Sequence, residues 1–150
     1  MVLEGLNRLD LYLAAQELSQ LIYKEVLPNL PSDEKYNLTS QIRRAASSIP
    51  ANIAEGYGRY YYQESIRFCY LARGSLMELS SHIDLAFSQG YLQNATKSTC
   101  DQKMTALLKL IHGYINFLRK NKRGVDEPGS QRISDSTINY QQEYKDHEEF

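Results

Sequence analysis

A chain of 150 residues is long enough to bury a core as a single domain, and 17 Lys+Arg against 18 Asp+Glu leave it a formal net charge of −1. No apolar run approaches the ~20 residues needed to span a bilayer, and the first residues lack the basic stretch, apolar run and small-residue site of an export signal. The small net charge is a sum of opposites, since residues 1–124 hold 15 basic against 11 acidic residues while residues 125–150 hold 2 against 7. Cys69 and Cys100 have no metal or redox spacing, so they are expected to be buried reduced thiols of a protein of the bacterial cytoplasm.

Apolar residues recurring at about 100° per residue predict four helices and no strand. The first is expected over residues 9–27, stopped by Pro28 and Pro31. Leu11, Ala14, Ala15, Leu18, Leu21, Ile22 and Val26 lie on its core face, and Leu9, Leu13, Tyr23 and Leu27 form a second apolar strip on the other side. Ser32 is the expected N-cap of the second helix, with Asp33 and Glu34 in a first turn whose dipole favours acids. Leu38, Ile42, Ala45, Ile49 and Ile53 make its core seam. Pro50 interrupts that seam, so a kink and an orphaned carbonyl are expected near Ala46, with Gly56 and Gly58 ending the helix.

The third helix is expected over residues 63–89, with Phe68, Cys69, Ala72, Leu76, Leu79, Ile83, Ala86 and Phe87 in one buried arc. Ile66, Tyr70 and Met77 form a narrower strip elsewhere, and Gly90 closes the helix. The fourth is expected over residues 96–121, with Met104, Leu107, Leu108, Ile111, Tyr114, Ile115 and Leu118 inward and Lys120, Lys122 and Arg123 suiting the dipole at its C-terminal end. Short connections make this an all-α, antiparallel up-down four-helix bundle over residues 1–124. The second strips, Leu9, Leu13, Tyr23, Leu27, Ile66, Tyr70 and Met77, would be wet in a monomer and predict a homo-oligomer. Residues 125–150, polar and acidic with Pro128-Gly129 near their start, are expected to form a flexible tail.

No catalytic constellation stands out. His82, His112 and His147 lack partners at metal-ligand spacing and are expected to be solvated. Ser47 and Ser48 have no base in view, and Glu55-Gly56-Tyr57-Gly58-Arg59 lacks the Lys-Ser/Thr of a phosphate loop. No enzyme activity, metal or cofactor is expected. Arg44, Ser48, Asn52 and Glu55 fall on one line of the second helix. They read as a structural polar seam that satisfies the carbonyl freed by Pro50 and pairs Glu55 with Arg59 or Arg73, because a single carboxylate is poor acid–base equipment. Arg43, Arg44, Arg59, Arg67 and Arg73, interleaved with Tyr57, Tyr60, Tyr61 and Tyr62, make the better candidate site. Arginine forks hold phosphates and tyrosine rings stack on bases, although the same groups also suit ion pairs with Glu55, Glu64 or Glu78 and an oligomer interface. No helix-turn-helix, zinc finger or RNA-recognition sheet supports base-specific readout.

The run from Gln41 to Arg59, then Phe68, the Leu71-Ala72-Arg73-Gly74-Ser75-Leu76-Met77-Glu78-Leu79 stretch and Gly90-Tyr91-Leu92, resembles the four-helix-bundle family of proteins encoded in 23S rRNA intervening sequences. That group includes the accessory variability proteins of diversity-generating retroelements. The resemblance spans roughly residues 9–120, with Asn52 and Glu55 at marked positions of the family motif. It implies a ring-like homopentamer that binds nucleic acid through a basic surface and associates with a reverse transcriptase. The expected function is therefore a non-catalytic, oligomeric RNA- or DNA-binding protein; the alternative is a protein-interaction scaffold with no nucleic-acid role.

Overall fold

The computed structural model describes residues 4–122, so the expected acidic tail lies outside the described residues. Four α-helices pack as a bundle, with no strand among the described residues: α1 (Asp10–Leu21), α2 (Leu38–Tyr57), α3 (Tyr62–Ser88) and α4 (Asn94–Asn121). Helices α1 and α3 each pack against both α2 and α4, and the α2–α3 contact is the most extensive. Leu18, Ile22, Ile42, Ile49, Ile53, Leu76, Leu79, Ile83, Leu107 and Ile111 are fully buried between them, each adding about 1.5–3 kcal/mol of apolar burial. Cys69 and Cys100 are free thiols in this core. Loss of hydration pushes them up to about 12 and about 11 respectively, the second also through Asp101 and Glu25.

The first predicted helix is three pieces laid end to end. Beyond α1 the chain widens into a π turn (Ile22–Val26) and then tightens into a 3₁₀ turn (Leu27–Asn29) around Pro28. Each residue of a π turn advances less than 100°, so the phase slips inward. Leu27, expected on the outer strip, is consequently buried in the core. Leu9 is half-buried, while Leu13 and Tyr23 remain exposed.

Helix α2 begins later than expected, and its cap differs. Ser32–Glu34 is a separate 3₁₀ turn after Pro31. Glu34 does the capping: its Oε2 accepts the Leu38 N–H at 3.2 Å and the Asn37 amide at 3.0 Å. Pro50 sits inside α2 and leaves the Ala46 carbonyl without its helical donor. The polar seam does not answer it; Ser19 of α1 does, donating its hydroxyl to Ala46 O at 2.7 Å. Gly56 does not end the helix either. A Cβ there would lie 2.8 Å from Phe68 Cβ and 3.1 Å from Ser65 O, so this glycine lets α2 and α3 approach closely, and the helix stops at Tyr57 and Gly58.

In α3 the outer strip is also thinner than its spacing suggested. Ile66 is buried in the core, Tyr70 is half-buried, and Met77 alone of the three is exposed, at 46%. Phe87, expected inside, is exposed in the last turn beneath the Lys97 ammonium, and Phe68 is half-buried beneath Arg59. Gly90 closes α3 at φ +79, with Tyr91 N–H bonded to Ala86 O at 3.0 Å.

Side-chain contacts set the order of the bundle's levels. Along α1 and α2, Ser19 meets Ala46 and Tyr23 lies under Arg43. Gly56 abuts Ser65 while Ser48 meets Ser75, and Asp84 pairs with Lys97 while Tyr70 accepts from Arg119. Gly5 abuts Tyr57, so the start of the described chain lies beside the end of α2.

Candidate nucleic-acid interface

The polar seam of α2 knits that helix to α3. Asn52 donates to the Ser48 carbonyl and hydroxyl at 2.9 and 3.0 Å, and the Ser48 and Ser75 hydroxyls lie 2.8 Å apart. Glu55 pairs with Arg59 at 2.7 Å, and Arg59 also reaches Glu64 at 4.0 Å and lies over the Phe68 ring. The guanidinium thus pins the α2–α3 turn from both sides. Arg44 hydrogen-bonds the Gln41 side chain. His82 and His112 are half-buried, not solvated, and His82 Nε2 lies 3.5 Å from Glu78; His147 lies outside the described residues. Among the described residues no three His, Cys, Asp or Glu gather to hold a metal, and no helix is long and apolar enough to cross a membrane.

The five candidate arginines do not share one spot. Arg43 and Arg44 sit in the second turn of α2, and Arg59 follows its end. At 1.5 Å per residue they are about 22 Å apart along the axis. Arg67, in the second turn of α3, accompanies Arg59, whereas Arg73, two residues from the Ser75 that meets Ser48, lies between the two groups. Arg67 is exposed and Arg73 half-buried. Of the four interleaved tyrosines, Tyr57 and Tyr60 expose their rings, at 39% and 58%, whereas Tyr61 is half-buried and Tyr62 is in the core.

The levels of the bundle show what the linear sequence hides. The half containing the α2–α3 turn comprises residues 4–16, 50–74 and 109–122, and carries eight Lys+Arg against four Asp+Glu. The other half, residues 17–49 and 75–108, carries six against seven. All of the described body's excess positive charge is therefore in the half that holds the α2–α3 turn. Exposed Arg8, Lys109, Lys120 and Lys122 and half-buried Arg119 join Arg59, Arg67 and Arg73 there. Sequence reasoning assigned the cluster at the end of the fourth helix to that helix's dipole alone. The missing signal was topological: Arg119 reaching Tyr70 at 3.0 Å shows that the end of α4 lies beside the start of α3.

Fold and surface together define a small all-α bundle whose charge is polarised toward one end. The family model of the 23S rRNA-intervening sequence protein matches residues 7–113, and the chain belongs to that family. A similar solved structure is a protein with unknown function from the S23 ribosomal protein family, from Bacteroides thetaiotaomicron. It is 20% identical with a TM-score of 0.63, and the match covers 70% of this chain and 97% of that one. No curated protein matches the chain.

Proposed function

We propose that this is a non-catalytic, oligomeric protein that binds RNA or DNA by its phosphates. The observation carrying this reading is the charge partition: eight basic against four acidic residues in the half of the bundle that holds the α2–α3 turn, with Tyr57 and Tyr60 exposed among them. Arg59, Arg67, Arg73, Lys120 and Lys122 hold the backbone, with Arg43 and Arg44 as a second contact point about 22 Å along the axis. Contacts that run backward along each neighbouring helix support an up-down-up-down topology. Exposed Leu13, Tyr23 and Met77, with Leu71 and Leu85, support self-association. The ring-like homopentamer and the reverse-transcriptase partner come from the resemblance to retroelement accessory proteins; a ring would repeat the basic end and multiply its field.

The test is binding to a hairpin RNA and a duplex DNA across a salt series, on samples of known oligomer mass. Five to seven phosphate contacts predict an affinity loss of about 10³- to 10⁴-fold between 50 and 200 mM salt. No binding at low salt by a well-formed oligomer rejects the reading. The exposed apolar residues of α1 and α3 would then carry the protein-scaffold alternative, read by a protein partner that survives nuclease treatment.

A further inference from the structure

The body and the residues that follow it carry opposite charge, and the fold puts the junction between them at one place. Helix α4 ends on Lys122, whose left-handed backbone (φ 43) turns the chain out of the helix beside Arg119 and Lys120. This is the basic end, while the opposite half has no excess of positive charge to offer. Residues 125–150 hold Asp126, Glu127, Asp135, Glu143, Asp146, Glu148 and Glu149 against Arg132 and Lys145. An acidic segment therefore follows directly on the half of the described body that carries the positive excess.

We propose that residues 125–150 dock on the basic end of the bundle and compete there with nucleic-acid phosphates. Reach is not limiting. At 3.3–3.6 Å per residue, 26 residues extend up to about 85 Å, whereas a bundle end two helix diameters wide is about 20–25 Å. Tethering sets the segment's effective concentration near the millimolar range, so individually weak carboxylate–guanidinium contacts suffice. The apparent affinity for a polyanion then falls by the fraction of time the end is uncovered. Salt loosens the tether and the polyanion together, so the measured salt dependence of full-length binding is shallower than the phosphate contacts alone would give. The competition rests on the nucleic-acid reading above; the docking does not.

The experiment uses the full chain in two forms, native and with the seven acids changed to Asn or Gln. Each also carries Ser136→Cys with a nitroxide label. Cys69 and Cys100 are buried, so the label goes to position 136 alone. Label mobility and affinity for a 20-base-pair duplex are measured at low and high salt. Docking predicts a slowed label in the native form at low salt, released by high salt, by the neutralised tail and by Arg67→Glu/Lys120→Glu/Lys122→Glu. Competition predicts about tenfold tighter duplex binding by the neutralised form at low salt. A label equally mobile in native and neutralised chains overturns the docking, whatever the affinity. A slowed label with equal affinities overturns the competition. A slowed label with no duplex binding by either form leaves docking standing and removes the nucleic-acid function instead.

Discussion

The two ends of the bundle use charge differently. Where α3 passes to α4, acids and bases consume one another: Lys97 is held by Asp84 at 2.9 Å and Asp101 at 2.6 Å. Nearby, Glu34 caps α2 and accepts the Tyr91 hydroxyl at 3.4 Å. Asp101 and Asp84 hold the Lys97 ammonium above the ordinary lysine range. Where α2 passes to α3, Arg59 is engaged by two carboxylates, yet the bases around it outnumber the acids two to one. One end spends its charges on its own connections, and the other has a surplus for a partner. Exposed pairs contribute little to stability, so the contrast should appear in binding before it appears in folding.

The strongest test of that contrast reverses charge at each end in turn. Arg67→Glu/Lys120→Glu/Lys122→Glu is expected to weaken duplex binding at least 100-fold at low salt, with the oligomer mass unchanged. Lys24→Glu/Lys35→Glu, exposed cations of the other half, should stay within about threefold. Equal losses from the two variants would dissolve the distinction between the ends. Arg43→Glu/Arg44→Glu should fall between them, reporting the second contact point.

Stability depends on close packing at the basic end. Gly56→Val, which forces a side chain against Phe68 and Ser65, should lose about 1–3 kcal/mol by denaturant titration. Ser19→Ala deletes the donor to Ala46 O and should cost about 1–2 kcal/mol, the usual penalty for a carbonyl left unanswered away from water. A smaller effect is expected from alkaline pH. Cys69 and Cys100 are raised from 9.0 to about 12 and about 11, so between those values the folded state holds protons that the unfolded state has lost. Their contribution is complete below pH 9 and declines as pH rises toward 11–12. Lys97, raised above 10.5, acts in the same direction. Melting temperature should be level to about pH 8.5 and then fall. The native thiols should resist alkylation at pH 8 and both react on unfolding.

Local signals carried the helices well. Seams at three- and four-residue spacing placed α2 and α3 to within a few residues apart from the start of α2, and Gly90 marked a true helix end because only a left-handed residue closes that motif. The failures share a cause, which is that they depend on a neighbour distant in sequence or on helix phase. Gly56 resembles a helix terminator until Phe68 is seen against it. Leu27 resembles a surface residue until a π turn rotates it inward, and Ile66 until the assembled core closes over it. The seam of Ser48, Asn52 and Glu55 was legible as polar, but its partners Ser75 and Arg59 follow from where α3 lies. Proximity in sequence groups Arg67 with Arg59 and separates it from Lys120 and Lys122, although the fold brings all four to the same half of the bundle.

The bond between Ser19 and Ala46 has a further consequence. A regular helix offers its neighbour the same backbone face at every turn, so two smooth helices can slip past one another by a turn at modest cost. Proline at 50 breaks that monotony by exposing one acceptor at one height, and one hydroxyl on α1 is placed to meet it. The pair works as an index mark that sets the vertical register of α1 on α2. Any larger assembly built on the outer faces of those helices inherits that setting from a single imino acid.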